Sequence, residues 1–473
     1  MAGANGASLG ITGELCERIV AIQSGDLDTV VLVAARRLVL DGIAVGVAGA
    51  RIEEQPRLMA EHLRELGSAG TATVLGMDLR LSPVAAALLN AVSIHSLDFE
   101  PMWNPATHAL SPALASSLAA GEATGASGAD ILTAMVKGIE IQGWLLAACG
   151  PFESLDLRFH PPGMVGPLGA AVAASHLLKL DALQLANALG IAASRCGSLV
   201  SNTGTMTKAT HPGYAASLGL EAAMLAKRGF TGNGALDAEG GYAEAFLPPA
   251  FEIGTLLNFG RPFRVVEPGF AVKILPSKIT THYAITAALQ ARPHLLARGA
   301  SHPLDAIASI HVVAPKVPAA DRPYPSSGHE GKFSIQYTLA AALLDGMVGI
   351  QTFTDERLQR ADMQALLPRI AVEMRADIST QYGAGRYLDL EIRLKDGSTL
   401  RERCERPRGT WGTTPISNDE LEAKARDCLT LAMSADDAVM SIDMARRFDS
   451  LDAAGVATLL GLTRVPLLAS SFA

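Results

Sequence analysis

Aromatic residues are scarce in this chain: Phe, Trp and Tyr make up 5% of its 473 residues, although 49% of all residues are apolar. The apolar stretches are rich in Ala and Gly, whose small side chains allow helices to approach closely. This composition predicts a mainly helical body. The length also exceeds the roughly 250–300 residues at which a single hydrophobic core stops growing, so we expect more than one domain.

Cysteines are few, scattered and odd in number: Cys16, Cys149, Cys196, Cys404 and Cys428. None belongs to a C-x-x-C pair, so neither a disulfide framework nor a zinc or iron–sulfur site is indicated. We therefore expect no metal and a reducing, cytoplasmic environment. The first twenty residues also lack a basic segment followed by an apolar run, so no signal peptide is predicted.

Positive charge is in deficit, because 39 Lys and Arg stand against 47 Asp and Glu, which gives a formal net charge of -8. A nucleic-acid-binding surface needs a basic face that this chain does not supply, so we expect no nucleic-acid partner. No charge-free apolar run reaches the length of about 18 residues that a membrane span requires, so no membrane partner is expected either. An anionic ligand must be attracted by a local pocket.

Common catalytic motifs are also missing. No G-x-G-x-x-G follows a strand pattern, no Walker loop occurs, and no G-x-S-x-G elbow is present. Nucleotide chemistry and a serine-hydrolase mechanism are therefore disfavoured. What remains is acid–base chemistry performed by His and Lys side chains without a cofactor.

Helical periodicity dominates the first 260 residues, in which we expect no strand. The helical patterns cover residues 26–49, 82–95, 128–148, 164–179, 181–194 and 213–228. Two of the expected starts, at Ser82-Pro83 and Ser111-Pro112, place proline just after a capping serine, where helices favour it.

A period-two pattern begins later, at residues 304–315, 368–377 and 386–404, and predicts strands. Asp396-Gly397 marks a hairpin turn in the last segment, and residues 334–349 read as a buried helix. The expected fold is thus mainly α with an inserted α+β domain: a helical domain at 1–270, a smaller lid domain at 271–406, and C-terminal helices at 407–473 that rejoin the first domain.

Four cationic or imidazole positions lie just before expected helix starts: His108, His160, the pair Lys208 and His211, and Lys273. A helix N-terminus offers free N–H groups and positive dipole potential, so such positions are suited to an anion. Lys273 stands between two apolar residues and would be costly to bury unpaired, which favours a cleft. On spacing alone, His160 is equally compatible with a structural turn, and Asp98 with a simple helix-end residue.

Four stretches together resemble the MmgE/PrpD family: "RFHPPGMVGPLGAAVAASHLLKLD", "ALGIAASRCGSL", "TMTKATHPGYAASLGLEAAMLAKRGFTG" and "KILPSKITTHYAITAAL". The family includes 2-methylcitrate dehydratase, cis-aconitate decarboxylase and iminodisuccinate epimerase. The resemblance implies a homodimer with its active site in a cleft between the helical domain and the lid. It also implies a small di- or tricarboxylate substrate and no metal or nucleotide. The family's site motifs, most similar here to those of its decarboxylase members, place Asp98, His108, His160, Lys208 and Lys273 in the active site.

The chain departs from the decarboxylase motif at several positions. Met102 replaces a threonine, Ala319 stands where a tyrosine is expected, and Glu100, Pro101 and Asn104 also differ. The loss of two polar side chains, at positions 102 and 319, leaves the identity of the substrate open.

Three functions are compatible with these residues. The first is a cofactor-independent lyase, a decarboxylase or dehydratase, in which lysines and imidazolium groups stabilise an enolate-like charge. The second is an epimerase of a small dicarboxylate such as iminodisuccinate, and the third is a carboxylate-binding protein without activity. For an enzyme, we expect Lys208 to face a substrate carboxylate and favour His160 over His108 as the proton carrier.

Overall fold

The computed structural model describes residues 10–103, 107–150, 158–297, 302–382 and 385–466. The protein is mainly α-helical with a smaller α+β region. Within the described ranges the α-helices are α1 (Gly10–Ala21), α2 (Thr29–Ile52), α3 (Glu54–Glu65), α4 (Pro83–Ser96), α5 (Leu110–Thr124), α6 (Gly128–Ala147), α7 (Pro161–Leu177), α8 (Ala182–Ala193), α9 (Thr207–Lys227), α10 (Tyr242–Phe246), α11 (Ile279–Leu296), α12 (Pro303–Ala306), α13 (Gly328–Gly331), α14 (Ile335–Asp345), α15 (Asp355–Gln359), α16 (Ala361–Leu366), α17 (Asn418–Leu429), α18 (Ala435–Arg446) and α19 (Ala453–Leu462). None of these helices is long and apolar enough to cross a membrane.

The strands up to residue 271 have two residues each, and those after residue 306 are longer. They are β1 (Ala72–Thr73), β2 (Arg80–Leu81), β3 (Met102–Trp103), β4 (Phe270–Ala271), β5 (Ile307–Pro315), β6 (Ile370–Arg375), β7 (Leu388–Leu394) and β8 (Thr399–Cys404). The expectation of no strand before residue 260 was wrong for β1, β2 and β3. Two-residue strands are too short to show a period-two pattern, so the sequence could not reveal them.

Helix starts differ from expectation at three places, all involving proline. α5 begins at Leu110 rather than at the Ser111-Pro112 pair, and α7 begins directly after His160. α9 begins at Thr207, so Lys208 and His211 lie inside the helix and Pro212 is an interior residue. Proline is favoured in the first helical turn because it lacks an N–H group. Here α9 starts six residues before the expected range of 213–228 and tolerates the hydrogen bond that Pro212 cannot make.

The four longer strands form one mixed sheet in the order β6-β5-β7-β8. β5 pairs parallel to β6, whereas β7 pairs antiparallel to both β5 and β8. Along β7, Leu388, Leu390, Ile392 and Leu394 are buried and the residues between them are not, as the alternating pattern predicted. Gly397 turns the β7–β8 hairpin with a φ of 84°, a conformation that glycine adopts without strain.

Two large apolar clusters organise the chain. The first draws on α2 to α9 and also on residues 416–460, so the C-terminal helices pack with the helical body. The second lies between α11, α14 and the four-stranded sheet, within residues 283–404. The domain boundaries at 270 and 406, and the role of the second part as a lid, stay predictions.

Contacts between the two parts include buried ion pairs. Glu53, at the end of α2, accepts hydrogen bonds from Lys332 and, at 2.9 Å, from His329 Nδ1. Burial would raise the pKa of Glu53, but Lys332 outweighs it and the pKa is lowered to about 2. The α+β part is thus fastened to the helical body by charge as well as by apolar packing.

Candidate active site

Asp98 lies two residues beyond the end of α4, in a left-handed backbone conformation with a φ of 50°. Its N–H group donates to the carbonyl of His95 at 2.9 Å, which closes the helix end. Aspartate tolerates this conformation better than most residues. The side chain is 3% exposed and points into the interior, away from the solvent that usually surrounds a carboxylate.

Two lysines from distant parts of the chain bind this carboxylate. Lys208 Nζ donates to Asp98 Oδ2 at 3.0 Å, and Lys273 Nζ bonds both Oδ1 and, at 2.7 Å, the backbone oxygen of Asp98. Burial would raise the pKa of Asp98, but the charges of Lys208 and Lys273 outweigh it and hold the pKa well below its usual range. Asp98 is therefore ionised, and it anchors two ammonium groups side by side.

A second buried carboxylate, Glu100, organises the neighbouring imidazoles. It accepts hydrogen bonds from the Ser111 backbone N–H (3.1 Å) and hydroxyl (3.0 Å) in the first turn of α5, and from His95 Nδ1 (2.6 Å). Burial would raise its pKa, but the adjacent His108 and His95 lower it below the usual range. The free N–H groups of the α5 N-terminus explain how a fully buried carboxylate is tolerated here.

The bonds of His95 define its tautomer. Its Nε2 lies 3.0 Å from Lys208 Nζ, and an ammonium group can only donate, so Nε2 must accept. The ring proton therefore sits on Nδ1 and is donated to Glu100. His95 links the Glu100 carboxylate to the Asp98–Lys208 pair through one neutral ring.

His108 and His160 lie beside this link. The His108 ring packs edge-on against His95 at 4.5 Å between centroids, and its centroid lies 6.3 Å from that of His160. His108 Nδ1 is 3.3 Å from Glu100 Oε1, but the ring is not oriented for a hydrogen bond, so this buried atom has no hydrogen-bond partner. His160 caps α7 and places Nδ1 at 3.1 Å from Nδ1 of His211.

Burial lowers the pKa of every imidazole in this group, and the nearby charge of Lys208 lowers each further. The pKa of His95 falls to about 3 and that of His211 to about 4, while those of His108 and His160 are also lowered. The resting site thus combines neutral imidazoles with an ionised Asp98 that is bound by two lysines. This differs from the imidazolium groups expected from sequence, because burial beside two lysines disfavours another positive charge.

All five sequence-predicted site residues lie in this one cluster, although their catalytic roles stay predictions. Sequence reasoning missed His95 and Glu100. Both flank Asp98 in the stretch "IHSLDFE", and the His–Asp–Glu spacing around a helix end was the available signal. Met102 lies in β3 and packs against Ala271 and Ile279, and the carbonyl of Ala319 accepts from Arg322 Nε at 3.0 Å. Asn104 lies outside the described residues.

One group in the described chain has the spacing of metal ligands: His95, Glu100 and His108 offer ligand atoms within 4.8 Å of one another. Two of the three residues are already engaged, because Glu100 accepts from Ser111 and His95, while His95 Nε2 accepts from Lys208. Two ammonium groups also lie close by and would repel a cation. The donor set suits proton handling better than metal binding.

Comparison with known proteins identifies the relatives of this chain. Residues 13–253 match the MmgE/PrpD N-terminal domain, and residues 275–450 match the MmgE/PrpD C-terminal domain. The chain is 34% identical to human cis-aconitate decarboxylase over 463 residues, which cover 95% of this chain and 94% of the relative. The mouse cis-aconitate decarboxylase is 33% identical, with 95% and 93% covered, and that of Aspergillus terreus is 28% identical, with 91% of each covered.

The lowered pKa of His95 predicts how stability depends on pH. Above a pH of about 6.5, the ordinary histidine pKa, the His95 ring is neutral in both the folded and the unfolded protein. Below that pH the ring binds a proton in the unfolded chain, whereas in the folded chain it does so only near pH 3. Stability therefore falls as pH falls, by about 2 kcal/mol from His95 alone at pH 5. The free energy of unfolding in urea should be measured at pH 7 and at pH 5. His95→Gln should reduce the difference between the two values, whereas His62→Gln, at an exposed position, should not. If the difference in unfolding free energy between pH 7 and pH 5 is the same in His95→Gln as in the parent protein, the His95 ring is not held neutral.

Proposed function

The protein belongs to the MmgE/PrpD family, and on this premise we propose that it is a cofactor-independent lyase that acts on a small tricarboxylate, with decarboxylation as the favoured outcome. The observation that carries the proposal is the buried Asp98 carboxylate between Lys208 and Lys273, next to neutral imidazoles. The similarity to cis-aconitate decarboxylases over nearly the whole chain supports the same reaction class.

Substrate binding uses the donors of Lys208 and Lys273 that Asp98 leaves free. In the resting site, Asp98 occupies one hydrogen bond of Lys208 and two of Lys273. Each ammonium group has three donors, so each can bind a substrate carboxylate without leaving Asp98. Asp98 then acts as a positioning residue that holds both lysine side chains close together and aimed at one place.

The chemical step breaks the bond between a carboxylate carbon and its neighbouring carbon. CO2 leaves, and the electron pair stays on the remaining carbon skeleton, where an adjacent carboxylate spreads it as an enolate-like charge. Lys208 and Lys273 stabilise this charge because they are fixed in a site with little water. A proton must then be added to carbon, which requires a general acid.

His160 is the proposed general acid. Its ring is neutral in the resting site, but a bound polyanion favours the protonated form and raises the pKa. His160 Nδ1 lies 3.1 Å from His211 Nδ1, so His211 is positioned to supply a proton to His160. His108 contacts the carboxylates of Asp98 and Glu100 and is proposed to orient the substrate.

An epimerase is the second candidate, because the His108 and His160 rings stand apart at 6.3 Å and could address opposite faces of one carbon. Met102 and Ala319 also remove two polar groups that decarboxylase members carry. Loss of chemistry with retained carboxylate binding is the remaining possibility, and the test below separates all three.

We further propose that residues 271–406 act as a lid. Lys273 reaches Asp98 across the boundary, and Arg322 Nη2 donates to the carbonyl of Thr203 at 3.1 Å. Movement of this part would release Lys273 and open the site. A cytoplasmic homodimer is proposed as well, on the basis of the family resemblance and of a cysteine pattern suited to a reducing compartment.

The reaction is tested by incubating the protein with cis-aconitate, 2-methylcitrate or iminodisuccinate in deuterated water. The proposal predicts CO2 release from cis-aconitate and one deuterium on carbon in the product. Loss of water from 2-methylcitrate would make the enzyme a dehydratase, and deuterium exchange with inversion in iminodisuccinate would make it an epimerase. Absence of all three would refute the assignment to this group of enzymes.

The residue roles are tested with steady-state kinetics of single variants. Lys208→Ala should raise KM and lower kcat by about 10²- to 10³-fold, because its charge serves both binding and the transition state. His160→Ala should lower kcat by about 10²- to 10⁴-fold with little change in KM. Lys227→Ala, at the exposed end of α9, is the matched control and should behave as the parent protein. Full turnover in His160→Ala and His108→Ala would leave these rings as structural groups.

A further inference from the structure

Arg386 is a buried cation without a carboxylate. The residue is 4% exposed and precedes β7, and no described acidic side chain lies within ion-pair distance of it. Nη1 donates to the carbonyl of Thr380 and Nη2 to the hydroxyl of Thr280 at 3.1 Å, while Nε has no partner. Burying a guanidinium group without a counter-charge is costly, so its retention here points to an anion that arrives from outside.

The aromatic surroundings of Arg386 hold its position but do not neutralise it. Its guanidinium carbon lies 4.3 Å from the centroid of the Tyr382 ring and 5.2 Å from that of Tyr283. The Tyr382 hydroxyl also lies 3.3 Å from the hydroxyl of Thr280. Such stacking fixes the planar group in one orientation, which suits recognition of a carboxylate.

Lys278 is a second cation without an acidic partner among the described residues. It is partly buried and directly precedes α11, whereas the nearby Lys208 and Lys273 each bind Asp98. Burial lowers its pKa to about 8, and the charges of Asp98, Lys208, Lys273 and Arg386 also act on it. Lys278 therefore shares one electrostatic environment with the Asp98 cluster and with Arg386.

The N-terminus of α11 completes the arrangement. This helix is 18 residues long, and no side chain caps its first turn. Its second residue, Thr280, is the one that receives the Arg386 hydrogen bond, so the guanidinium lies beside the positive end of the helix dipole. Its first residue, Ile279, packs against Met102. The unpaired Arg386 and Lys278 thus lie at one uncapped helix start, next to a position where this chain differs from decarboxylase members.

We propose that Arg386, Lys278 and the N-terminus of α11 form a second carboxylate subsite, which binds the substrate carboxylate that Lys208 and Lys273 do not hold. The inference rests on the proposed function in one respect, that the substrate is a polycarboxylate. With neutral imidazoles, four cations face the two carboxylates of Asp98 and Glu100 across the combined site. This excess of positive charge suits a tricarboxylate better than a monocarboxylate.

The subsite is tested by calorimetric binding of two unreactive ligands, tricarballylate and glutarate, which differ by one carboxylate. The intact protein should bind tricarballylate more tightly. Arg386→Met should weaken tricarballylate binding by about 10- to 100-fold, the range for hydrogen bonds between charged groups, and leave glutarate binding nearly unchanged. Arg403→Met is the matched control, because Arg403 also stacks on a tyrosine but is exposed and paired with Asp389.

Lys278→Gln is the second variant. It removes a charge that is partly exposed, so it can be used for the same binding test if Arg386→Met does not fold. An equal loss for both ligands, or no loss for either, in the folded variant would overturn the subsite. Because binding needs no turnover, selective loss in a protein that does not release CO2 would support the subsite and refute the reaction. Turnover of a tricarboxylate with an unchanged KM in both variants would support the reaction and refute the subsite.

Discussion

The ion-pair cluster around Asp98 is the interaction on which the rest of the site depends. One buried carboxylate accepts bonds from Lys208, within the helical body, and from Lys273, which follows β4. Removing the carboxylate would leave two ammonium groups close together in a low-dielectric interior, where their repulsion is strong. The left-handed backbone at Asp98, with a φ of 50°, turns the chain at the end of α4 and so places this carboxylate in the interior.

The electrostatics of the site follow from that cluster. Burial and two nearby lysines make further positive charge unfavourable, so the surrounding imidazoles are neutral, and Glu100 holds His95 in place by a hydrogen bond. The buried pair of Lys424 and Asp41 is a contrasting case, because one lysine is matched by one carboxylate. Lys424 Nζ lies 2.9 Å and 3.0 Å from the two carboxylate oxygens of Asp41, and this ion pair joins α17 to α2. Around Asp98 the cations outnumber the carboxylates. Such an imbalance of buried charge is typical of a functional site that binds an anion.

Local patterns in the sequence predicted much of this structure. The alternation from Leu388 to Leu394 and the Asp396-Gly397 turn predicted the β7–β8 hairpin, and the family motifs led to Asp98 and the four predicted residues around it. What the sequence could not show was pairing over distance. Lys208 and Asp98 are 110 positions apart, and Lys273 and Asp98 are 175 apart, so neither ion pair leaves a local pattern. Arg386 was missed for the same reason, because its significance comes from burial without a carboxylate, which is visible only in three dimensions.

The central claim is that neutral imidazoles next to ionised lysines receive a polyanionic substrate. It is tested most directly by measuring proton exchange when tricarballylate binds at about pH 6.5, by calorimetry in buffers with different heats of ionisation. Lys278, with a pKa of about 8, is already protonated under these conditions, so it adds little to the proton uptake. The account predicts net proton uptake, because the bound trianion raises the pKa of rings that are neutral in the free protein. Binding with no proton exchange, or with proton release, would contradict it.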